Sequence, residues 1–222
     1  MKLIAVFFML LDHVAFTLIS PDTTTYFVMR CLGRIAAPLF WFAFIEGYRH
    51  TSNKKLYFLR LCSFGIIMGI FNLFLRYIYN VNITFFMPNT FLTLGAMLLF
   101  LEIYQSYNTK DGSSTMILKT LALIGLGYLL IAHLEYGVYL ILIAPVLYFV
   151  KNKMIKTLLF TTISFILCLL MLNIPQMTMI VAGLFYLMYS DEKPKQSWKL
   201  FFYLFYPLHI WLLLTLRFLF IM

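Results

Sequence analysis

FVMRCLGRIAAPLFWFAFIEGY, residues 27–48, is an apolar run interrupted only by Arg30, Arg34 and Glu46. A helix of about 20 apolar residues crosses the hydrocarbon core of a bilayer. This run therefore reads as a membrane-spanning helix that carries charges at membrane depth. The polar break RHTSNKK, residues 49–55, ends it. Working outward, apolar runs alternate with polar breaks along the whole chain, at about 3–20, 27–48, 57–79, 89–107, 116–133, 136–150, 156–172, 176–190 and 199–221. The expected fold is all-α, a polytopic transmembrane bundle of about nine helices, with residues 1–222 forming a single integral membrane domain.

Composition agrees. The chain of 222 residues is 63% hydrophobic, 19% aromatic and only 11% charged, where a soluble domain carries about 25% charged residues. A soluble globular enzyme, a disordered tail and a disulfide-stapled secreted domain are all excluded. The net charge of +9 does not signal nucleic acid, because the basic residues sit at the ends of apolar runs and form no stripe on a soluble element. Cys31, Cys62 and Cys168 lie inside apolar runs without a CxxC spacing, so they read as packing residues. The first run resembles a signal peptide in length, but Asp12 and His13 interrupt its centre and no small-residue cleavage site follows, so it reads as the first membrane helix.

Orientation follows from the lysines. With the N-terminus inside, alternate breaks face the cytoplasm, and Lys2, Lys54, Lys55, Lys110, Lys119, Lys151, Lys153, Lys156, Lys193, Lys195 and Lys199 all fall on that side. Positive residues favour the cytoplasmic face, so the expectation is a multi-pass protein of the cell membrane, in contact with its lipids, with a cytoplasmic N-terminus. No internal repeat of the transporter type is visible.

Ionisable groups inside a bilayer are costly and face the bundle interior. Asp12 and His13 lie in the first run, Arg30 and Arg34 four apart in the second, and His209 in the last. Four residues apart on a helix means one face, and the helical rise places His13 and Arg34 at similar depth. A neutral histidine there can act as a general base. A carboxylate such as Asp12 can fix its tautomer, or can instead serve Arg34, since neighbouring helical residues diverge by about 100°. Two arginines four apart repel unless an anion lies between them, and Asp12, a substrate carboxylate or a phosphate fits that role. Asp12, Arg30 and Arg34 are equally readable as a structural ion network.

The end of the second run, Glu46 through Arg49 and His50 to Lys54 and Lys55, followed by Arg60, is basic enough to grip donor phosphates. Plain topology anchoring accounts for Lys54 and Lys55. Glu46, four residues before His50, calls for a pair or a buried partner. His133 and Glu135 read as a solvated loop, Asn89 as a helix cap, and Pro38, Pro145 and Pro207 as kinks. No metal site is expected, since no two histidines have helical ligand spacing. No phosphate loop, nucleophile elbow or dinucleotide motif occurs.

These residues together resemble the TraX family of membrane acetyltransferases, relatives of the wider acyltransferase-3 group. The likeness runs through KLIAVFFMLLDHVAF, MRCLGRIAAPLFWFAFIEGYRHTSNKKLYFLRL, NTFLTLGAMLL, EYGVYLILIAPVLYF and FFYLFYPLHIWLL, in family order. The second block is similar to the family's R-x-x-G-R-[IL]-A-x-P-x-F…E-G-[FY]-x-H-T pattern. The wider group's arginine before the first-helix histidine is absent, with Lys2 at nearly that position. The resemblance implies transfer of an acetyl group from cytoplasmic acetyl-CoA to an unidentified envelope acceptor, either a pilin N-terminus, a glycan or a lipid. His13 is then the catalytic base, with Asp12 as its partner and Arg30 and Arg34 stabilising charge or holding an anion. Glu46, Arg49, His50 and Arg60 line the donor side, and His209 lies across the cavity. A small-solute transporter using the same buried charges is the competing reading, and a non-catalytic assembly partner is a third. The residues fix neither the acceptor nor an oligomeric state.

Overall fold

A computed structural model describes residues 2–79, 84, 89–107, 112–134, 136–189 and 199–220. The breaks around 80–88, 108–111 and 190–198 therefore fall largely outside the described residues, as do Lys110, Glu135, Lys193 and Lys195. Among the described residues the chain is all helical: α1 (Lys2–Leu18), α2 (Thr24–Gly33), α3 (Ala36–Arg49), α4 (Lys54–Tyr79), α5 (Thr90–Gln105), α6 (Ser113–His133), α7 (Gly137–Phe149), α8 (Lys153–Met171), α9 (Ile174–Met177), a 3-10 turn (Thr178–Val181), α10 (Ala182–Met188) and α11 (Lys199–Phe220). α2 and α3 are halves of one span, Thr24–Arg49, and α9 to α10 make a shorter apolar helix, Ile174–Met188. Among the described residues, nine helical segments thus occupy the nine apolar runs.

Five of these are long and apolar enough to cross a membrane: Thr24–Arg49, Lys54–Tyr79, Ser113–His133, Lys153–Met171 and Phe201–Leu219. Their outward faces are apolar too. Leu118, Ile124 and Tyr128 on α6 and Leu158 and Leu170 on α8 are all more than 60% exposed. Water penalises such surface by about 25 cal/mol per Å², and hydrocarbon does not. The protein is a multi-pass membrane protein.

The polar breaks supply the helix starts. Thr23, Asn53, Asn89, Asn152 and Asn173 each stand one residue before a helix and accept from a backbone N–H in its first turn, which satisfies donors the helix itself leaves open. Asn89 does more than cap: its buried side chain also donates to the Gly65 carbonyl at 2.8 Å and ties α5 to α4.

The helices gather into two compact units, Met1–Gly47 with Phe149–Met222, and Tyr48–Tyr148. In the second, α4 packs on α5 and α5 on α6, and α6 turns tightly into α7 through Tyr136, whose φ is 57°. In the first, α1 packs against both α2 and α11. Lys2 lies over the Phe202 ring near one end and His13 meets His209 further along, so α1 and α11 run parallel. α8 starts beside the end of α3, where Lys156 meets Glu46. The break between α2 and α3 follows from Pro38. It has no N–H to return to the Arg34 carbonyl, and its ring crowds the preceding turn. The helix therefore loosens at Arg34 and Ile35, and the buried Tyr186 hydroxyl donates to the Pro38 carbonyl at 2.6 Å.

Candidate functional site

Five of the residues singled out from sequence converge inside the first unit. Asp12, His13, Arg30, Arg34 and His209 come from α1, α2, the α2–α3 break and α11. What lets them meet is a close approach of α1 to α2. Gly33 faces Asp12 so tightly that a Cβ there would stand 2.7 Å from the Asp12 Cα and nearer still to its Cβ. Only glycine leaves room.

Asp12 Oδ2 pairs with Arg30 Nη1 at 2.8 Å, and Asp12 Oδ1 faces Arg34 Nε at 3.8 Å. The three side chains are between 11% and 17% exposed. A buried ion pair holds its place only when both charges are compensated, and one carboxylate between two guanidinium groups keeps them from repelling. The Arg30 guanidinium also lies over the rings of Phe16 and Tyr26, at 5.3 and 5.9 Å, a favourable place for a desolvated cation. The anion expected between the arginines is thus Asp12. Arg34 differs in one respect from the expectation of a shared helix face: it sits past the end of α2 and reaches Asp12 from the break.

The expectation that Asp12 partners His13 gives way here to a different arrangement. Adjacent residues on α1 point apart, so Asp12 turns to α2 while His13 turns to α11. His13 Nδ1 lies 2.6 Å from His209 Nε2, with the two ring planes within 18° of parallel and their centroids 4.9 Å apart. His209 Nδ1 is in turn 2.7 Å from the Phe205 carbonyl. Tyr206 stands edge-on to both imidazoles, and the Thr17 hydroxyl donates to the His13 carbonyl. Among the described residues, His13 Nε2 makes no hydrogen bond. An imidazole with one nitrogen engaged and the other available is equipped for general acid and base work.

The remaining expected residues lie elsewhere. Glu46 pairs with Lys156 at 3.8 Å, and both are buried. Lys156 Nζ also lies over the Phe42 ring at 5.6 Å. Arg49, His50 and Arg60 belong to the second unit. There Arg49 donates to the Tyr148 carbonyl and lies over the Tyr148 ring, while His50 and Arg60 are exposed. His209, expected to face the donor across a cavity, is instead held against His13, and Arg30 is held by Asp12. The sequence reading missed Lys156, which it counted as a topology lysine. The signal was periodicity, because Lys156, Phe160 and Ser164, spaced by four, form the buried stripe of α8.

A helix bundle that keeps two histidines, two arginines and an aspartate together in one unit belongs to the polytopic membrane proteins that hold ionisable groups among their helices. The particular family is established by comparison: the chain belongs to the TraX family, described as "TraX protein", which it matches over residues 1–217. It is similar to the probable fimbrial assembly protein FimC, serogroup H1, of Dichelobacter nodosus, at 28% identity across 98% of this chain and 94% of that protein. No solved structure matches the chain.

Proposed function

We propose that this protein is a membrane-embedded acetyltransferase of pilus-related envelope assembly, which moves an acetyl group from cytoplasmic acetyl-CoA to an envelope acceptor. Pilin N-termini, glycans and lipids are the acceptor classes the family resemblance implies, and the fimbrial-assembly name of the relative favours the first. The reading carries with it a place in the cytoplasmic membrane and an N-terminus inside. The lysine distribution supports that orientation, as do the contacts that set Lys2 beside the start of α11 and Glu46 beside the start of α8.

The observation that carries the proposal is His13, half-buried between α1 and α11, engaged at Nδ1 by His209 and with no hydrogen bond at Nε2 among the described residues. In the reaction, His13 Nε2 takes the proton from the acceptor's amine or hydroxyl as its nitrogen or oxygen bonds to the acetyl carbon. The carbon–sulfur bond of the thioester then breaks, and the proton passes to the departing thiolate. Acetyl-CoA and acceptor become coenzyme A and acetylated acceptor, with nothing oxidised or reduced. Arg34 and Arg30 supply positive charge near the oxyanion that forms on the way. His13 lies about 17 Å along α1 from Lys2, so a thioester entering from the lysine-bearing end must reach well into the bundle. The resemblance implies donor-side roles for Glu46, in the first unit, and for Arg49, His50 and Arg60, in the second, and the proposal carries these over residue by residue.

The test is thiol release from acetyl-CoA by purified protein supplied with an envelope extract. Base catalysis contributes about 10²–10⁴-fold, so His13→Ala, correctly inserted, loses turnover by that factor. Wild-type turnover in His13→Ala overturns the assignment. Solute uptake into vesicles with no thiol release establishes transport instead. By calorimetry, Arg49→Ala and Arg60→Ala weaken acetyl-CoA binding, and unchanged affinity moves the donor site elsewhere.

A further inference from the structure

A histidine base works only if the lone pair is on the nitrogen that faces the substrate. In most such sites a carboxylate selects that tautomer by accepting from the other nitrogen. Here the neighbouring carboxylate is unsuited to the task, since Asp12 Oδ2 is on Arg30 at 2.8 Å. The partner of His13 is another imidazole.

The tautomers follow in order from a single fixed point. A backbone carbonyl can only accept, so the His209 nitrogen 2.7 Å from the Phe205 carbonyl, Nδ1, carries a hydrogen. A neutral His209 then has its lone pair on Nε2. That nitrogen faces His13 Nδ1 at 2.6 Å, a separation with room for one hydrogen, which must belong to His13. His13 is thereby set as the Nδ1–H tautomer with its lone pair on Nε2. The chain of constraints is built into one helix, because Phe205 and His209 are four residues apart on α11 and face the same way. Phe205 stacks on the His209 ring at 4.8 Å and 15°, which holds the plane of the ring that holds His13.

We infer that His209 is the positioning residue of this site: it selects the reactive tautomer of His13, and its Nε2 lone pair holds the Nδ1–H of the imidazolium that forms when Nε2 takes up a proton. The kinetic part rests on the proposed acyl transfer. The tautomer part does not.

The experiment combines both readouts on full-length protein in nanodiscs, comparing wild type with His209→Leu and His209→Gln. Leucine fills the space without an acceptor, whereas the Gln Oε1 reaches about where Nε2 stands. By nitrogen NMR of histidine-labelled protein, with His13 assigned by its loss in His13→Ala, wild-type His13 carries its hydrogen on Nδ1. In His209→Leu the two tautomers mix, and in His209→Gln the Nδ1–H form returns. Acetyl-CoA thiol release falls about 10²-fold in His209→Leu, as for a misplaced catalytic group, and recovers at least about tenfold of that in His209→Gln. The inference is overturned if wild-type His13 carries its hydrogen on Nε2. It is equally overturned if His209→Leu keeps the Nδ1–H form, or transfers acetyl at the wild-type rate while His13→Ala is inactive. A wild-type protein that releases no thiol refutes the acetyltransferase proposal, and the tautomer measurement still decides the role of His209.

Discussion

Gly33→Ala is the smallest change that tests how the charged cluster is assembled. The added Cβ would lie 2.7 Å from both the Asp12 Cα and Oδ1, where carbon atoms rest at about 3.5–4.0 Å. A change of Asp12 rotamer can clear Oδ1 but not Cα, so α1 must retreat from α2 by about 1 Å. That movement stretches the 2.8 Å contact of Asp12 with Arg30 beyond hydrogen-bond length and carries Arg34, already at 3.8 Å, out of pairing range. Overpacking of this kind costs about 1–3 kcal/mol, and the weakened pair adds to it. For a chain of this size each kcal/mol lowers the melting temperature by about 2–4 °C. The expected loss is therefore about 2–12 °C, read by thermal unfolding in detergent. Gly125→Ala is the control, because nothing lies within 4 Å of a Cβ there, and it should melt with the wild type or slightly above it, alanine being the better helix former. A Gly33→Ala protein as stable as wild type, with acetyl transfer intact, would refute the close α1–α2 approach and the Asp12 pairing built on it.

Asp12→Asn leaves Arg30 and Arg34 without their shared carboxylate, and breaking a buried pair from one side costs about 3–5 kcal/mol. Unfolding in detergent should show the loss, and Asp12→Asn with Arg30→Met should be more stable than Asp12→Asn alone. Glu46→Gln strands the buried Lys156 in the same way, so a thermal-melt cycle of Glu46→Gln and Lys156→Met should give a coupling of the size seen for contacting residues, about 0.5–3 kcal/mol. Gly137→Ala drives a Cβ into the Leu130 carbonyl and within 2.8 Å of the Ile131 nitrogen. It should sharply reduce the yield of folded protein by size-exclusion chromatography, because both groups are backbone. Leu172 ends α8 at φ 48° with its side chain 88% exposed. Leu172→Gly should therefore melt at an equal or slightly higher temperature, since left-handed backbone costs a non-glycine residue about 1 kcal/mol.

The helices were legible because hydropathy and length are local properties. Each apolar run became one helical segment, and five of the helix starts follow the Thr or Asn that caps them. What a run does internally was less visible. Residues 27–48 read as one continuous helix, and only Pro38, four residues after Arg34, hinted that the helix would open at Arg34. Gly33 gave no signal of its own, since its importance lies in the distance to another helix.

Partnership among the buried charges was the least legible feature, and the reason is geometric. Sequence places Asp12 next to His13, and adjacency invites pairing, yet the helical turn of about 100° sends the two side chains to different neighbours. Once α1 lies between α2 and α11, Asp12 has arginines on its side and His13 has a histidine on the other. The carboxylate then offsets one of two guanidinium charges, and in the proposed reaction orientation of the base falls to a neutral ring whose own orientation is set by a carbonyl at 2.7 Å. This separation matters in a membrane. A carboxylate held by Arg30 and facing Arg34 leaves the three side chains with one positive charge in excess where two arginines alone would leave two, and a neutral histidine pair adds none until a proton is transferred. An interior arranged this way lowers the resting cost of its buried ionisable groups, and in the proposed acyl transfer it leaves His13 Nε2 to take the acceptor's proton.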